Sequence, residues 1–391
     1  MHLNLIADLV IKDRIYPALA RHQAMPFTQK WREFEQHWPY TIPIRLQEYC
    51  VYHGIKLNVY KITDQLPENT FYPIGLGFFD FSVDYFELLS SEIRKKLHKQ
   101  CLRLLFYYHE GDNPVRIKDR LDKLTSNHSL PPNCYLFVSS NTAAQDLENF
   151  VYFTDFELWY YHRNQTSSPL KIHRRLRDRD FTVLNRLHKS WRALIMTDLM
   201  HLGILDNSYW SYCESGKFID ADCPIKIGKF MYDSTEAFLN RAPYFSDNLD
   251  FNQRNDHSTL VCKYHNNSYC NIVLETHFDT DQSGGVYITE KTFKPVKHGQ
   301  MFFIAGPAGS LQLLRDLGYR VFDGVLDNSY DQEPDHTQRW LKLSKAICQA
   351  QKHLPELFND ALIDIEHNQQ LFQTIKTDRL NILIKEINES R

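Results

Sequence analysis

Short apolar runs alternate with longer amphipathic stretches along most of the chain. Apolar runs bounded by turn residues predict buried strands, and amphipathic stretches that follow capping residues predict helices. The alternation of the two element types predicts an α/β fold with parallel sheets. Strands are predicted over residues 102–108, 134–139, 181–184, 210–213, 270–274, 301–305 and 320–322, and helices over residues 91–100, 190–202, 290–298 and 310–317.

The apolar pattern is interrupted at residues 161–169, where a polar stretch ends in Ser-Ser-Pro. Such a change in composition predicts a linker between domains. We therefore expect an N-terminal α/β domain over 1–165, a doubly wound, Rossmann-like domain over 170–337 and a helical segment over 338–391. Because crevices form at the carboxyl ends of parallel strands, we expect the two α/β domains to face a cleft.

The 391 residues include 45 Lys and Arg against 48 Asp and Glu, which gives a net charge of -3. This balance argues against a protein whose main task is to coat nucleic acid or an anionic membrane. The 8 cysteines form no Cys-x-x-Cys pair, so we expect free thiols rather than a zinc or redox motif. Since no cationic leader and no run of about 18 apolar residues occurs, we expect a cytoplasmic protein without a membrane span.

The segment 271–295 is the most informative part of the sequence. An apolar strand ends at Glu275, a loop with two glycines follows, and Thr289 stands where a helix N-cap belongs. Glu290 and Lys291 then occupy the first helical turn. A carboxylate there can accept hydrogen bonds from a ribose diol, while Lys291 and the free backbone N–H groups attract a phosphate. The alternative is an ordinary capped helix with a solvated Glu-Lys pair.

The segment 300–322 reads as a strand, a glycine turn over 306–309 and a helix that begins at Ser310. At Gly306 the backbone can approach a ligand closely, although a plain tight turn would have the same pattern. The glycine spacing fits neither the dinucleotide fingerprint nor the P-loop. We therefore expect neither a redox cofactor nor an ATP-cleaving P-loop.

The motifs Leu274-Glu275 and Tyr287-Ile288-Thr289-Glu290-Lys291, followed by a helix and a Gly-Pro strand end, resemble a known donor-binding segment. It is that of the fucosyltransferase-type GT-B glycosyltransferases. A looser similarity to uncharacterised viral and bacterial proteins extends over 181–330. The resemblance implies that Glu290 binds the ribose and Lys291 the diphosphate of a nucleotide sugar, with Glu275, Tyr287 and Thr289 in the same donor site. Thr276 and His277 follow Glu275 where that family usually has Asn-Ser.

A second candidate is the end of the strand 181–184, where Asn185 and Arg186 precede a helix. The Arg186 fork suits a phosphate, because it binds bidentately and stays charged. Residues 171–192 carry eight Lys and Arg against two Asp, so this stretch could attract a diphosphate or a nucleic-acid acceptor. A surface salt bridge for Arg186 and a solvated basic linker are the alternatives.

Glycosyl transfer also needs a base that deprotonates the acceptor hydroxyl. Glu110 and Asp112 follow the strand 102–108 at the turn Gly-Asp-Asn-Pro, and we take them as the catalytic candidates. Asp80 and Asp84 are weaker alternatives, and any of these carboxylates could simply cap a turn. The Asp-x-Asp at 279–281 matches the metal-binding motif of other glycosyltransferases. Because Arg186 and Lys291 already supply positive charge, we expect no divalent metal.

These features predict a glycosyltransferase that moves a sugar from a GDP- or UDP-sugar, its co-substrate, to an acceptor. The expected reaction is inverting and metal-independent, with a GT-B layout in which 1–165 binds the acceptor and 170–337 binds the donor. A hydroxymethylated pyrimidine in DNA is an alternative acceptor. A non-catalytic protein that binds a glycan or nucleotide on a GT-B scaffold is the alternative from another class. The sequence leaves the sugar, the acceptor and the oligomeric state open.

Overall fold

The computed structural model describes residues 1–6, 44–76, 79–163, 172, 176–226, 228–245, 262–374 and 376–390. The chain divides into two compact units. Unit 1 comprises Met1–Asp155 together with Lys376–Arg391, and unit 2 comprises Phe156–Ile375. Among the described residues, no helix is long and apolar enough to cross a membrane.

Unit 1 is built around a parallel sheet with the strand order β2-β1-β3-β4-β5-β6 in its described part. Its elements begin with β1 (His2–Ile6), α1 (Ile44–Tyr52), β2 (Lys56–Tyr60), β3 (Thr70–Leu76) and α2 (Ser91–His98). They continue with β4 (Arg103–Tyr108), α3 (Pro114–Asn127), β5 (Tyr135–Ser139) and β6 (Phe150–Tyr152).

The core of unit 1 is rich in aromatic rings. Phe137 stacks on Phe106 and on Phe150, with ring centroids 5.8 and 5.0 Å apart, so three neighbouring strands are joined on one face. Such stacked pairs stabilise beyond the area that they bury. The helix α3 begins sharply because Pro114 occupies its first turn and Asn113 accepts a hydrogen bond from the backbone N–H of Val115.

Unit 2 contains a second parallel sheet, whose described strands have the order β10-β9-β7-β8. Every residue of β9 and β10 is buried, as expected of strands covered on both faces. The elements are α4 (Asp155–Arg163), β7 (Arg179–Asn185), α5 (Ser190–His201), β8 (Ser208–Tyr212), α6 (Lys229–Arg241), α7 (Cys262–Asn266), β9 (Ser268–Leu274), α8 (Thr280–Ser283), α9 (Glu290–His298), β10 (Met301–Ala305), α10 (Ser310–Asp316), α11 (His336–Gln351), α12 (Leu354–Asp360) and α13 (Leu362–Thr374).

The direction of strand addition reverses at β7. Strand β8 lies on one side of β7, while β9 and then β10 lie on the other. In open parallel sheets, ligands bind in the crevice at the carboxyl ends of the strands where this reversal occurs. In unit 2 that crevice lies between the end of β7 at Asn185 and the end of β9 at Leu274.

The predicted α/β class with parallel sheets is confirmed, and the predicted bounds of β10 and α9 agree with the structure residue for residue. The predicted strand over 320–322 is wrong. Both backbone groups of Arg320 are hydrogen-bonded to the side chain of Asn368 in α13. This side chain accepts from the N–H of Arg320 (2.8 Å) and donates to the Arg320 carbonyl (2.7 Å). Phe322 adopts a φ of 63°, which no extended strand tolerates. The segment therefore pairs with a side chain instead of with β10.

The C-terminal helices do not form one separate segment. Helices α11, α12 and α13 belong to unit 2, whereas α14 (Lys376–Glu389) packs with unit 1 and contacts β1 and β6. The change from unit 1 to unit 2 falls at Asp155 and Phe156, ahead of the predicted boundary at 161–169. Most of that predicted linker, residues 164–169, lies outside the described residues.

Candidate functional site

Glu275 lies at the carboxyl end of β9 and is fully buried. Its Oε1 accepts from the backbone N–H of Thr289 (3.0 Å) and the hydroxyl of Thr292 (2.6 Å). Its Oε2 accepts from the N–H of Thr276 (3.1 Å) and the hydroxyl of Thr289 (2.7 Å). The carboxylate thus holds the glycine loop against the start of α9, where its charge also suits the helix dipole. Glu275 therefore fixes the geometry of the site, and each of its carboxylate oxygens already accepts two hydrogen bonds from the chain itself.

Arg192 connects the two strand ends that flank the crevice. Its buried guanidinium donates to the backbone carbonyl of Glu275 through Nε (3.1 Å), and to Oδ1 of Asn185 through Nη1 (3.3 Å). Burial lowers the pKa of Arg192 to about 10, and the charge of Glu275 opposes the shift. Asn185 is itself buried, and its Nδ2 has no hydrogen-bond partner among the described residues. Because buried polar groups are normally hydrogen-bonded, a ligand with an acceptor atom would satisfy this donor.

Two lysines meet on Thr276, the residue after Glu275. Lys291 Nζ donates to the hydroxyls of Thr289 (3.0 Å) and Thr276 (3.3 Å), and lies 3.5 Å from Oε1 of Glu290. Lys189 Nζ donates to the Thr276 carbonyl at 2.6 Å. The ammonium groups approach from the first turn of α9 and from the N-cap position of α5. They create positive potential at the carboxyl edge of the sheet.

This positive potential contributes to the low pKa of the neighbouring His277. Burial, and after it the charges of Lys189, Arg192 and Lys291, lower the pKa of His277 to about 3. The imidazole is therefore neutral at physiological pH. It can exchange hydrogen bonds in the crevice without adding a charge.

The first turn of α9 is formed as predicted. Thr289 is the N-cap, and its hydroxyl accepts from the N–H of Lys291 at 3.4 Å. Glu290 is the first helical residue and is only 5% exposed, whereas the Lys291 side chain with which it pairs is 30% exposed. Tyr287 is fully buried and packs edge-to-face on Phe156, with ring centroids 6.0 Å apart. By packing on α4, the Tyr287 ring fixes the loop that precedes α9.

The turn at Gly306 is determined by packing. A Cβ at Gly306 would lie 3.0 Å from Oγ of Ser310 and 3.2 Å from Cγ2 of Ile304. The start of the adjacent helix α10 is already occupied, because Asp331 accepts from the N–H groups of Leu311 (2.9 Å) and Gln312 (3.2 Å). An internal carboxylate thus takes the place that an anionic ligand would need there.

The basic stretch 171–192 does not form one surface. Arg177 and Arg192 are buried, whereas Arg186 is exposed. Arg177 donates to the carbonyls of Ser268 (2.6 Å), His265 (3.0 Å) and Gly299 (3.2 Å), and its guanidinium lies over a phenylalanine ring. Lys171, Arg174 and Arg175 lie outside the described residues. Of the described cations of this stretch, Arg177 and Arg192 are therefore not accessible to a nucleic-acid backbone, whereas Arg179 and Arg186 are exposed.

Glu110 and Asp112 lie in unit 1, between the end of β4 and the start of α3. Asp112 accepts a hydrogen bond from the Tyr108 hydroxyl at 2.5 Å. Oε1 of Glu110 is 3.7 Å from Nε2 of His109, and the Glu110 side chain is 39% exposed. Both carboxylates thus have described neighbours, and a partly exposed carboxylate beside an imidazole can accept a proton.

The weaker carboxylate candidates have structural roles. Asp80 accepts from the N–H (2.8 Å) and the hydroxyl (2.6 Å) of Ser82, and Asp84 contacts Nε2 of His128 at 2.9 Å. Asp279 of the Asp-x-Asp triplet is buried, and the side chain of Asp281 lies outside the described residues. Within the described part of the chain, no group of three or more His, Cys, Asp or Glu side chains could hold a metal ion.

Sequence reasoning missed Lys189, Arg192 and Thr276 as members of this arrangement. Lys189 stands directly before the predicted helix start at Ser190, and this strand-to-helix position at a basic turn was the available signal. The roles of Arg192 and Thr276 arise only from contacts between β7, β9 and their following helices. No protein-family model, no curated protein and no solved structure matches the chain.

Proposed function

We propose that the protein is a GT-B type glycosyltransferase, which moves a sugar from a nucleoside diphosphate sugar to an acceptor hydroxyl by an inverting, metal-independent reaction. The observation that carries the proposal is the composition of the crevice at the strand reversal in unit 2. The ammonium groups of Lys189 and Lys291 both contact Thr276 there, and Lys291 Nζ lies 3.5 Å from the buried carboxylate of Glu290. Nδ2 of the buried Asn185 at the neighbouring strand end has no hydrogen-bond partner among the described residues. Cations suit a diphosphate, and a carboxylate suits a ribose diol.

The chemistry follows from charge. Breaking the bond between sugar and diphosphate leaves additional negative charge on the nucleoside diphosphate, and preorganised cations stabilise that charge most where water is excluded. Lys291 is held in place by two threonine hydroxyls, so little reorganisation is needed when the charge develops. In this proposal Glu290 receives the ribose hydroxyls and Asn185 Nδ2 donates to a phosphate oxygen. Glu110 of unit 1 accepts the proton of the acceptor hydroxyl.

Donor binding is tested by a thermal-shift screen with GDP, UDP, CDP, ADP and dTDP, with and without magnesium. Saturation at about 100 times Kd stabilises the native state by about 2.7 kcal/mol, which moves the melting temperature by several degrees. We expect a shift with one nucleotide that magnesium does not alter. Absence of a shift with all five nucleotides would remove the proposal.

Two substitutions assign the binding to this crevice. Glu290→Gln and Lys291→Met should each weaken nucleotide binding about 10-fold, the cost of one charge-assisted hydrogen bond. The control for Glu290 is Glu356→Gln, because Glu356 is an exposed residue in the first turn of another helix, α12. The control for Lys291 is Lys345→Met on the exposed face of α11. Equal affinities in all four variants would mean that the nucleotide binds elsewhere.

Transfer is distinguished from mere binding by hydrolysis of the donor. The nucleotide sugar identified by the screen should be hydrolysed slowly without acceptor, whereas a non-catalytic binding protein would leave it intact. Glu110→Gln should keep the nucleotide affinity of the wild type and lower transfer to an acceptor hydroxyl about 100-fold or more, the usual contribution of a general base. Unchanged transfer in Glu110→Gln would exclude Glu110 as the base.

A further inference from the structure

We propose that Lys189 is a second diphosphate-binding cation, which acts together with Lys291 across Thr276. This inference rests on the proposed function, since it names a further binding residue of the same site. The sequence pattern points to Arg186 as the cation at this strand end. The structure instead connects Lys189, three residues later, to the residue that Lys291 also contacts.

The geometry brings the two ammonium groups to two oxygens of one residue, Thr276. Lys189 Nζ lies 2.6 Å from the backbone oxygen of Thr276, and Lys291 Nζ lies 3.3 Å from its hydroxyl oxygen. The two lysines stand at the starts of different helices, Lys189 as the N-cap residue of α5 and Lys291 in the first turn of α9. A diphosphate has two charged groups linked by one bridging oxygen, so a pair of cations at a short separation matches it better than a single cation does.

The local charge balance favours an anion. Lys189, Lys291 and Arg192 are opposed by the carboxylates of Glu275 and Glu290. Glu275 is saturated by four hydrogen bonds from its own chain, and the neighbouring His277 is held neutral. The cationic side chains of Lys189, Lys291 and Arg192 thus converge on Thr276 and the adjacent Glu275 carbonyl. Arg192 also contacts Oδ1 of the buried Asn185, whose Nδ2 has no hydrogen-bond partner among the described residues. The N-terminus of α5, which has no side-chain cap among the described residues, adds its dipole.

The test separates the charge of Lys189 from its hydrogen bond. Lys189→Gln keeps a donor for the Thr276 carbonyl but removes the charge, and Lys189→Arg keeps both. Lys345→Gln, an exposed lysine of α11, is the matched control. Each variant of the full chain is titrated calorimetrically with inorganic pyrophosphate, GDP and UDP, after circular dichroism has established that it is folded.

We expect Lys189→Gln to bind pyrophosphate and the bound nucleotide about 10-fold more weakly than the wild type, with Lys189→Arg within about threefold and Lys345→Gln unchanged. A merely structural role would leave Lys189→Gln close to the wild type, which overturns the inference. If the wild type binds pyrophosphate in a Lys189-dependent manner but no nucleotide, the anion site stands and the glycosyltransferase proposal falls. If it binds a nucleotide without dependence on Lys189, the glycosyltransferase proposal stands and this inference falls. If it binds neither, both fall.

Discussion

Acidification should destabilise unit 2 through a buried pair of histidines, His265 and His298. Their rings stack with centroids 5.3 Å apart, and both side chains are almost fully buried. Nδ1 of His265 lies 2.6 Å from Oε1 of Gln300, which can only accept, so Nδ1 carries the proton. Nε2 of His265 and both ring nitrogens of His298 have no hydrogen-bond partner among the described residues. Neither ring has a described partner that would stabilise a second proton.

The surroundings of the pair are basic on each side. Lys294 and Lys297 of α9 and the buried Arg177 raise the cost of a further positive charge. Burial lowers the pKa of His265 to about 4, and burial together with the charge of its neighbours lowers the pKa of His298 well below its usual value. Since the pKa of each histidine is about 6.5 in the unfolded chain, acid protonates the unfolded state first.

The sign and size of the effect follow from proton linkage. Above about pH 6.5 both histidines are neutral in either state, so they contribute no pH dependence. As the pH falls below about 6.5, the unfolded state takes up two protons that the folded state excludes, and stability is lost until the folded pKa values are reached. Each histidine should cost about 1.3 kcal/mol between pH 7.5 and pH 5.5, and the pair about 2.6 kcal/mol.

The assay is urea denaturation of the full chain at pH 7.5 and pH 5.5, followed by tryptophan fluorescence. Four of the six tryptophans, Trp159, Trp191, Trp210 and Trp340, belong to unit 2 and report its unfolding. Other groups titrate over the same range, so the readout is the difference between the wild type and His298→Phe, which keeps a stacked ring without a titratable nitrogen. His353→Phe, at an exposed histidine, is the control.

His298→Phe should reduce the loss of stability between the two pH values by about 1.3 kcal/mol, whatever its packing cost at a single pH. His353→Phe should leave the loss as it is in the wild type. An identical loss in His298→Phe and the wild type would refute the reasoning, because it would mean that the histidine is not kept neutral by its site.

Three further changes test the positioning of the site. Gly216→Ala would bring a Cβ to 2.3 Å from Cδ2 of His188, whose ring is held by hydrogen bonds, so it should cost about 1–3 kcal/mol in urea denaturation. In a His188→Ala background the same change should cost much less. Glu275→Gln replaces two acceptor oxygens by one and should cost about 3 kcal/mol, whereas Thr292→Ser keeps the hydroxyl that contacts Glu275 and should cost less than half of that. Asp331→Asn should lower thermal stability by about 1 kcal/mol, because it weakens the cap of α10; an unchanged melting temperature would contradict that role.

The sequence could predict much of the secondary structure because its signals are local. The apolar run 301–305 and the capped segment from Thr289 to Gly299 contain their own start and stop residues, so strand β10 and helix α9 were found within the correct bounds. The parallel α/β class followed from the same alternation. The segment 320–322 has an equally good local pattern for a strand. Its backbone is instead hydrogen-bonded to the side chain of Asn368, which lies in a helix 48 residues later.

The candidate site was predictable only in part, for the same reason. Glu290 and Lys291 could be assigned to the first turn of α9 because consecutive residues, from the N-cap Thr289 onward, determine where that helix begins. The function of Glu275 as an internal cap, and the burial of Arg192 between two strand ends, depend on partners that are far apart in the sequence.

What the sequence determined by itself is therefore the set of strands and helices and the residue types at their ends, since hydrogen bonding along the backbone and apolar periodicity act over a few residues. The tertiary structure alone decided which ends meet. It reversed the strand order at β7, so that Asn185 and Glu275 flank one crevice, and it brought Lys189 and Lys291 to Thr276. Packing of the sheet and its helices selects these contacts, because their energy depends on neighbours that no local pattern records.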